Sequence, residues 1–399
     1  MVNSAILHTE NQDFIDAHLN TDSTQLLFGK SPAESVTIKA LVEQIEAKER
    51  CRNKLPTWFK TPLIYYPNKL NIEQTSSEIT AKYKASIVFG ATILDVTGGF
   101  GVDSFYFSKN FKQVVHCEIN SDLSAIVSHN FKQLEVHNIQ TVLDDGISYL
   151  INGKTNYDWV YIDPSRRHDS KGKVFFLSDC LPNVPKHLNS LFRHTNNILI
   201  KTSPLLDISS GIQELEAVKA IHIVALNNEV KELLWVLEKD YNGSIAIKTI
   251  NLDKDNDQVF NFNLNEESLA QATYSLPQKF LYEPNAAILK SGAFNLLSKE
   301  LKIDKLHQHT HLYTSMALIG FPGRSFEIIE IAAYSKKVFK KLGIPKANIT
   351  TRNFPESVAS IRKKLKIADG GETYIFFVTN IQNERIAIIC KKTFKSFTS

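Results

Sequence analysis

The hydrophobic and polar positions of the chain follow one period over residues 1–90 and another beyond them. In the first part, apolar residues recur three and four positions apart, as in Phe14-Ile15-Asp16-Ala17-His18-Leu19, which predicts a helical N-terminal region. Prolines interrupt this pattern in Lys54-Leu55-Pro56-Thr57-Trp58 and Tyr66-Pro67. These two stretches are therefore predicted to be turns or extended segments.

From residue 91 to 252, short apolar runs alternate with helical spacers, which predicts an α/β domain with a largely parallel, Rossmann-like sheet. The predicted strands are 93–96, 113–117, 141–143, 158–162, 197–201, 220–226, 232–238 and 244–251. The last three lie too close together for crossover helices. We therefore expect an antiparallel hairpin through Asn227-Asn228-Glu229 at that end of the sheet.

The remainder of the chain has a different pattern. The stretch 253–267 is rich in Asp and Asn and is predicted to be a linker. Two smaller α+β segments are then expected over 278–322 and 325–396, with a turn at Phe321-Pro322-Gly323-Arg324 between them. The second segment is predicted to contain two helices, Ser335 to Leu342 and Pro355 to Lys366.

Composition narrows the class of protein. The chain has 399 residues, of which 43% are hydrophobic, so it can bury substantial cores. Its net charge of +4 is uneven: residues 331–399 hold fourteen Lys and Arg against four Asp and Glu, a net +10, which leaves −6 for residues 1–330. A basic C-terminal segment on an acidic body indicates a polyanionic partner, with nucleic acid first.

Nothing in the composition indicates a metal, a disulfide framework or a membrane span. The four cysteines are widely spaced, which suits a reducing compartment, and no window approaches the roughly 18 apolar residues that a membrane helix needs. The His307-Gln308-His309-Thr310-His311 cluster has no companion Cys or acid nearby and is predicted to be a solvated loop. We expect a soluble cytoplasmic protein without a metal.

The most informative motif follows the first predicted strand and reads Asp95-Val96-Thr97-Gly98-Gly99-Phe100-Gly101. Gly99 and Gly101 can adopt conformations closed to other residues, and the helix that follows offers N–H groups to a ligand. Glu118 ends the next strand, where an acid can bind both hydroxyls of a ribose. This order is that of a nucleotide-cofactor site, and on its own it leaves NAD and S-adenosylmethionine both open.

Two further positions separate these cofactors. A dinucleotide fingerprint has a third glycine where this chain has Ser104, which disfavours NAD. Asp145 follows the third strand, where a carboxylate can accept a hydrogen bond from an adenine amino group. Its alternative role is that of a helix N-cap, which Asp144 could also fill.

The motif Asp163-Pro164-Ser165-Arg166-Arg167 follows the fourth strand, and its side chains should face the ligand crevice. The two arginines suit a phosphate or carboxylate, although one of them can equally form an ion pair with a loop acid. Lys201 and Ser203 end the fifth strand on the same rim, where Lys201 can contact substrate or be a solvated strand end. Cys180 is predicted to be buried and structural.

The Asp163 segment resembles the Asp-Pro-Pro-aromatic motif of methyltransferases that modify exocyclic amines of bases, but Ser165 and Arg166 depart from it. Larger motifs carry a closer resemblance. Pro56-Thr57-Trp58, Glu73 to Glu78, Val96 to Asp103, Asp163 to Arg167 and Lys201 to Pro204 together resemble the bacterial class I methyltransferases that carry a THUMP-like C-terminal domain. The resemblance implies a seven-stranded sheet, a ferredoxin-like segment within 278–322 and a THUMP-like domain from about residue 325. It also implies S-adenosylmethionine as cofactor and RNA as partner.

Together, residues and resemblance give the following site predictions. The cofactor residues are Asp95, Thr97, Gly98, Gly99, Phe100, Gly101, Asp103, Glu118, Asp145 and Gly146. The catalytic residues are Asp163, Pro164, Ser165 and Arg166. The substrate contacts are Arg167, Lys201 and Ser203, with Arg362, Lys363 and Lys364 on a C-terminal helix as phosphate contacts.

The predicted reaction is methyl transfer to a base in tRNA or rRNA, with Asp163 orienting or deprotonating the acceptor. Methylation of a small molecule or a protein is an alternative. So is a binding protein that keeps the cofactor fold without turnover.

Overall fold

The computed structural model describes residues 3–166, 176–254, 256–395 and 397 of the chain. They divide into two compact units: residues 1–219 with 234–242, and residues 220–233 with 243–399. The chain therefore passes from the first unit to the second, returns, and passes to the second again.

The N-terminal region is helical, as its periodicity predicts. After a 3₁₀ turn at Ser4–Leu7, helices α1 to α6 are Thr9–Ala17, Ser23–Leu27, Ile38–Lys54, Pro56–Lys60, Lys69–Gln74 and Glu78–Ile87. Helix α3 begins after Thr37, whose hydroxyl accepts the N–H of Ala40, and it buries Leu41 and Ile45. The predicted turn at residues 54–58 is wrong, because α4 starts there at Pro56. Proline suits the first helical position, where no N–H is needed.

Among the described residues up to 263, eleven strands follow, β1 to β11. They are Thr92–Asp95, Gln113–Cys117, Ile139–Val142, Trp159–Ile162, Ser165–Arg166, Cys180–Leu181, Asn197–Thr202, Val218–Leu226, Glu229–Glu238, Ala246–Leu252 and Gln258–Asn263. The short strands β5 and β6 pair with each other, and the other nine form one sheet in the order β11-β10-β8-β9-β7-β4-β1-β2-β3. Helices α7 to α11 lie between its strands: Val102–Phe107, Ser121–Gln133, Gly146–Asn152, Val184–Leu191 and Ile208–Glu214.

The sheet confirms the predicted α/β class and the expected hairpin. Strand β1 pairs in parallel with β2 and β4, and β4 pairs in parallel with β7, so their carboxyl ends share one edge. Strands β8 and β9 are neighbours joined by Asn227 and Asn228, which have φ angles of 51° and 63° and so form the left-handed turn of a two-residue hairpin.

Two further strands extend this sheet, of which β10 matches the predicted strand 244–251 and β11 was not predicted. Strand β10 pairs in parallel with β8, and β11 pairs antiparallel with β10. Strand β11 lies within the stretch 253–267 that was predicted to be a linker, and helix α12, Leu264–Leu269, follows it. In β11 buried Phe260 and Phe262 alternate with exposed Asn261 and Asn263, a two-residue period that the Asp and Asn content concealed.

The C-terminal residues form a second sheet of seven strands, β12 to β18. They are Phe280–Pro284, Asp304–Lys305, Tyr313–Ser315, Gly323–Ala333, Lys346–Arg352, Ala368–Thr379 and Arg385–Thr393. Their order is β13-β14-β12-β15-β18-β17-β16, so strands from both predicted α+β segments share one sheet. Helices α13 to α16 are Ala286–Ser291, Phe294–Leu301, Lys336–Leu342 and Val358–Leu365.

Alternating side chains of this sheet pack into two separate hydrophobic cores, one on each face. Phe376 and Val378 of β17 point to the face that also buries Leu306 and Leu312. Ile375 and Phe377 point to the opposite face, which α15 and α16 cover with Phe339 and Ile361 among others.

Candidate functional site

The glycine loop forms a tight connection between β1 and α7. Gly99 and Gly101 have positive φ angles of 55° and 79°. A Cβ on Gly98 would lie 2.3 Å from Nε2 of His116, so this glycine lets the loop rest on the buried histidine ring. Burial lowers the pKa of His116 to about 4, which keeps the ring neutral. The sequence prediction missed this role of His116.

Asp95 closes β1 and lies almost completely buried beneath the loop. Its Oδ1 accepts the N–H of Thr97 at 3.1 Å, and its Oδ2 accepts the hydroxyl of Ser104 at 2.6 Å. Burial raises the pKa of Asp95 to about 7, and the charges of Asp103 and Asp163 add to that shift. The serine that replaces a third glycine therefore anchors the acid of the loop.

Glu118, at the end of β2, is joined to the same loop. Its Oε2 accepts the N–H of Gly99 at 2.9 Å, and its Oε1 accepts the N–H of Asn120 at 2.7 Å. Burial raises the pKa of Glu118. Each carboxylate oxygen keeps a further lone pair, so the residue can still accept hydroxyl donors. The next residue, Ile119, is an exposed apolar side chain.

The loop N–H groups leave less for a ligand than predicted. Gly99 donates to Glu118, and Gly101 donates to the carbonyl of Gly98 at 3.0 Å. Helix α7 has no side-chain cap, so its first-turn N–H groups are the donors that remain at this end.

At the end of β3 the structure places an N-cap. Asp145 accepts the N–H of Ser148 at 2.8 Å and so caps α9, as its alternative reading proposed. This bond uses Oδ1 and leaves Oδ2 for another donor. A Cβ on Gly146 would lie 2.3 Å from the carbonyl oxygen of Val96, so this glycine brings α9 against the loop. Leu143 beside them is an exposed apolar side chain, as Ile119 is.

Asp163 follows β4 and is held from two sides. Its N–H donates to the hydroxyl of Thr97 at 2.7 Å, which links it to the glycine loop. Its Oδ2 forms an ion pair with Lys201, whose strand lies next to β4 with Ile162 opposite Ile200. The Lys201 side chain is only 14% exposed, so it is not the solvated strand end of the alternative reading. Thr97 and Lys201 thus both act on Asp163.

The residues around Asp163 differ in accessibility. Pro164 is buried, and Ser165 is exposed in β5, which pairs with β6. Ser203 is half-buried and accepts the N–H of Leu205 at 3.2 Å. Cys180 is fully buried, as predicted. The Arg166 side chain and Arg167 lie outside the described residues.

Two predicted cofactor residues, Asp103 and Phe100, contact other side chains of the protein. The Asp103 carboxylate accepts hydrogen bonds from Ser76 at 2.9 Å and Tyr161 at 2.8 Å, and it lies 3.3 Å from the buried ammonium of Lys84. These contacts join α7 to the N-terminal helices, and the assignment of Asp103 to the cofactor stays a prediction. Phe100 is also buried, in contact with Trp58. Spacing could not reveal these contacts, because the partners are distant in the chain.

Of the three predicted phosphate contacts on α16, Arg362 and Lys364 have protein partners. Arg362 pairs with Asp369 and donates to the carbonyl oxygens of Ala368 at 2.8 Å and Ala347 at 3.1 Å. Lys364 pairs with Glu356 at 2.9 Å. Protein groups therefore already hold both cations, and the assignment of Arg362 and Lys364 to phosphate stays a prediction. Lys363 is exposed.

The predicted solvated histidine loop is partly buried. His311 stacks on Phe294 with ring centroids 3.6 Å apart, and Thr310 is fully buried. Within the described ranges, no group of three or more His, Cys, Asp or Glu residues is arranged to hold a metal ion. No helix in the same ranges has the length and apolar character to cross a membrane.

Known proteins resemble the chain at several levels. The ferredoxin-like domain family matches residues 280–322, and the THUMP domain-like family matches residues 323–392. A protein from Porphyromonas gingivalis W83, provisionally assigned as a methyltransferase, is 31% identical and superposes with a TM-score of 0.87 over 96% of this chain and 97% of its own. No curated protein matches the sequence.

Shorter likenesses cover about two fifths of the chain. An rRNA methylase from Streptococcus thermophilus is 14% identical over 40% of this chain and 94% of its own, with a TM-score of 0.30. A Streptococcus mutans protein provisionally assigned as a methyltransferase, solved in complex with SAH, is 12% identical over 40% of this chain and 96% of its own, also with a TM-score of 0.30.

Proposed function

Because the chain belongs to the family of class I methyltransferases that carry a THUMP-like C-terminal domain, we propose that it transfers a methyl group from S-adenosylmethionine to a base in RNA. The observation that carries this proposal is a continuous line of contacts from Ser104 through Asp95, Thr97 and Asp163 to Lys201. It joins the glycine loop, where a methyl donor would lie, to the residue expected to meet the acceptor.

The charge of the site suits this cofactor. Asp95, Glu118 and Asp163 end three neighbouring parallel strands, and burial raises the pKa of the first two. A site that must bury several carboxylates gains from a bound cation, because a positive charge offsets their mutual repulsion. S-adenosylmethionine carries a sulfonium and an ammonium group, and when bound it would supply an activated methyl group.

The residues present can be assigned to parts of that molecule. Glu118 would accept the ribose hydroxyls, and the free Oδ2 of Asp145 would accept the adenine amino group. The exposed side chains of Ile119 and Leu143, which follow Glu118 and precede Asp144, would cover the faces of the adenine ring. Asp95 would neutralise the ammonium group of the methionine part of the cofactor. The first-turn N–H groups of α7 would bind the carboxylate of the same part.

Asp163 would serve the acceptor. Lys201 fixes one carboxylate oxygen, so the other can accept a hydrogen bond from an acceptor amine or take its proton. The Thr97 hydroxyl holds the backbone of Asp163 at a set distance from the cofactor loop. Alignment of donor and acceptor is the main contribution that a protein makes to such a displacement.

The test is transfer of labelled methyl from S-adenosylmethionine to total bacterial RNA by the full chain. Asp163→Asn removes the carboxylate charge at nearly constant volume, and exposed Asp13→Asn serves as matched control. We expect transfer by wild type and Asp13→Asn and a loss of about a hundredfold or more in Asp163→Asn. Absence of transfer by every protein would overturn the RNA methyltransferase proposal, and equal transfer by all three would remove Asp163 from the mechanism.

A further inference from the structure

The helices that cover the second sheet carry an excess of positive charge. Residues 335–370 contain ten Lys and Arg against two acids, a net charge of +8. Both acids are already paired, Glu356 with Lys364 and Asp369 with Arg362. Arg352 pairs with the buried carboxylate of Glu283.

Seven lysines of this stretch have no such partner. All seven are exposed, and none forms an ion pair with any residue that the structure describes. They are Lys336, Lys337, Lys340, Lys341, Lys346, Lys363 and Lys366. The uncompensated charge therefore belongs to this set and excludes the two α16 cations that sequence analysis had favoured.

The topology gathers five of the seven at one end of the helix layer. Helices α15 and α16 pack on the same face of the sheet. Strands β16 and β17 are parallel, so the start of β16, the start of β17 and the end of the connecting α16 lie together. Helix α15 also ends there, because it leads directly into β16. We call this set the lysine end: Lys340, Lys341, Lys346, Lys363 and Lys366.

Arg362 links the segments that form the lysine end. Its guanidinium donates to the carbonyl oxygens of Ala347, Ile367 and Ala368, which ties the last turn of α16 to the first residues of both strands. The apolar side chains between the lysines turn inward: Phe339 lies in the core, and Leu342 and Leu365 pack against it. The exposed surface is thus cationic, with the apolar groups turned inward.

A glycine bulge adjoins the lysine end. The pairing of β16 with β17 jumps from Ala347 opposite Asp369 to Asn348 opposite Tyr374, so residues 370–373 bulge out. Gly370 and Gly371 have φ angles of 94° and 85°. The Lys346 side chain runs beside them, with its Cε 3.0 Å from where a Cβ on Gly370 would lie. Backbone without side chains next to a lysine leaves room for the close approach of a bulky anion.

We propose that the lysine end binds the phosphodiester backbone of RNA. This inference deepens the proposed function and rests on RNA being the substrate. Lysines contact phosphates as point charges and supply no reading of bases, so the surface would hold RNA and leave selection to the catalytic site. A membrane-binding surface would add exposed apolar side chains among the cations, and here those side chains face the core.

The test is binding of a fluorescein-labelled RNA hairpin of about 20 nucleotides to the full chain over a salt series without cofactor. The variant is Lys341→Gln/Lys346→Gln/Lys363→Gln. The control Lys279→Gln/Lys299→Gln/Lys302→Gln removes the same charge from exposed positions of the second unit outside residues 335–370. We expect the first variant to lower the slope of log affinity against log salt by about 2 to 3 and affinity by at least about tenfold, and the control to match wild type.

Each outcome decides a different point. If wild type binds and both variants weaken binding equally, the lysine end is not the RNA surface, while the proposed function stands. If wild type binds no RNA hairpin at any salt concentration, the RNA part of the proposed function fails together with this inference. If the lysine variant loses affinity only for phosphatidylglycerol vesicles, the partner is a membrane and the inference is overturned. Equal thermal midpoints for the three proteins establish that the lysine substitutions leave folding intact.

Discussion

Asp95→Asn tests the effect of a buried carboxyl group with a raised pKa on the stability of the first unit. The pKa of Asp95 rises from 3.8 to about 7 because the side chain is buried. The folded state therefore binds a proton more tightly than the unfolded state, and stability from this group is lost as pH rises from about 4 to about 7. A shift of about 3 units corresponds to about 4 kcal/mol of destabilisation above pH 7 in the protein without ligand.

Asparagine removes this penalty and retains part of the local bonding. Its carbonyl oxygen can still accept the N–H of Thr97, while the charged acceptor of the Ser104 hydroxyl is lost, at a cost of about 1 to 2 kcal/mol. We expect Asp95→Asn to be more stable than wild type by about 2 to 3 kcal/mol at about pH 8. We also expect it to bind S-adenosylmethionine more weakly, because the carboxylate that would offset the cationic cofactor is gone.

The assay is urea unfolding followed by tryptophan fluorescence at about pH 8 and about pH 5.5. All three tryptophans, Trp58, Trp159 and Trp235, lie in the first unit, so the signal reports the unit that contains Asp95. Wild type should gain about 2 kcal/mol more than the variant on going to the lower pH. The exposed Asp13→Asn should follow wild type. A variant no more stable than wild type at the higher pH, with the same pH dependence, would refute the reasoning.

Three further substitutions have defined outcomes. Thr97→Val removes the hydroxyl that accepts the N–H of Asp163, so it should slow methyl transfer about tenfold or more and speed amide exchange at Asp163. Thr97→Ser should retain the wild-type rates of both processes. Unchanged amide exchange in Thr97→Val would contradict the contact. Gly98→Ala should cost the first unit about 1 to 3 kcal/mol in urea unfolding, because its Cβ would meet the ring of His116, and His116→Ala in the same chain should restore most of that loss. Glu283→Gln should lower the free energy of unfolding of the second unit by about 2 kcal/mol, because Arg324 and Arg352 lose their shared carboxylate. Calorimetry measures this change, and an unchanged transition would mean that the two ion pairs contribute nothing to stability.

Local patterns were sufficient to predict much of the fold. The alternating strands and helices of residues 91–252 follow from short-range periodicity, and so does the two-asparagine hairpin. Strand β11 escaped prediction because its two exposed positions, Asn261 and Asn263, carry Asn, which masks the buried Phe260 and Phe262. Pro56 was misread because proline that interrupts one helix is also well suited to begin the next.

In the candidate site, too, local features were predictable from the sequence and long-range contacts were not. Glycines and acids at strand ends were found because their spacing is local. The partner of a charged side chain was not predictable. Asp103 contacts Ser76 and Lys84, which precede it by 27 and 19 residues, and Asp163 contacts Lys201 on the neighbouring strand. Spacing indicates which residues can be functional, while long-range contacts decide which of them are already engaged.

The way in which the chain alternates between its two units limits how the protein can be divided. Residues 220–233 belong to the second unit, yet residues 234–242 return to the first within strand β9. No single peptide bond therefore separates the two units, and a fragment that begins at the ferredoxin-like segment would lack a strand hairpin of its own unit. Limited proteolysis should accordingly release no pair of intact halves.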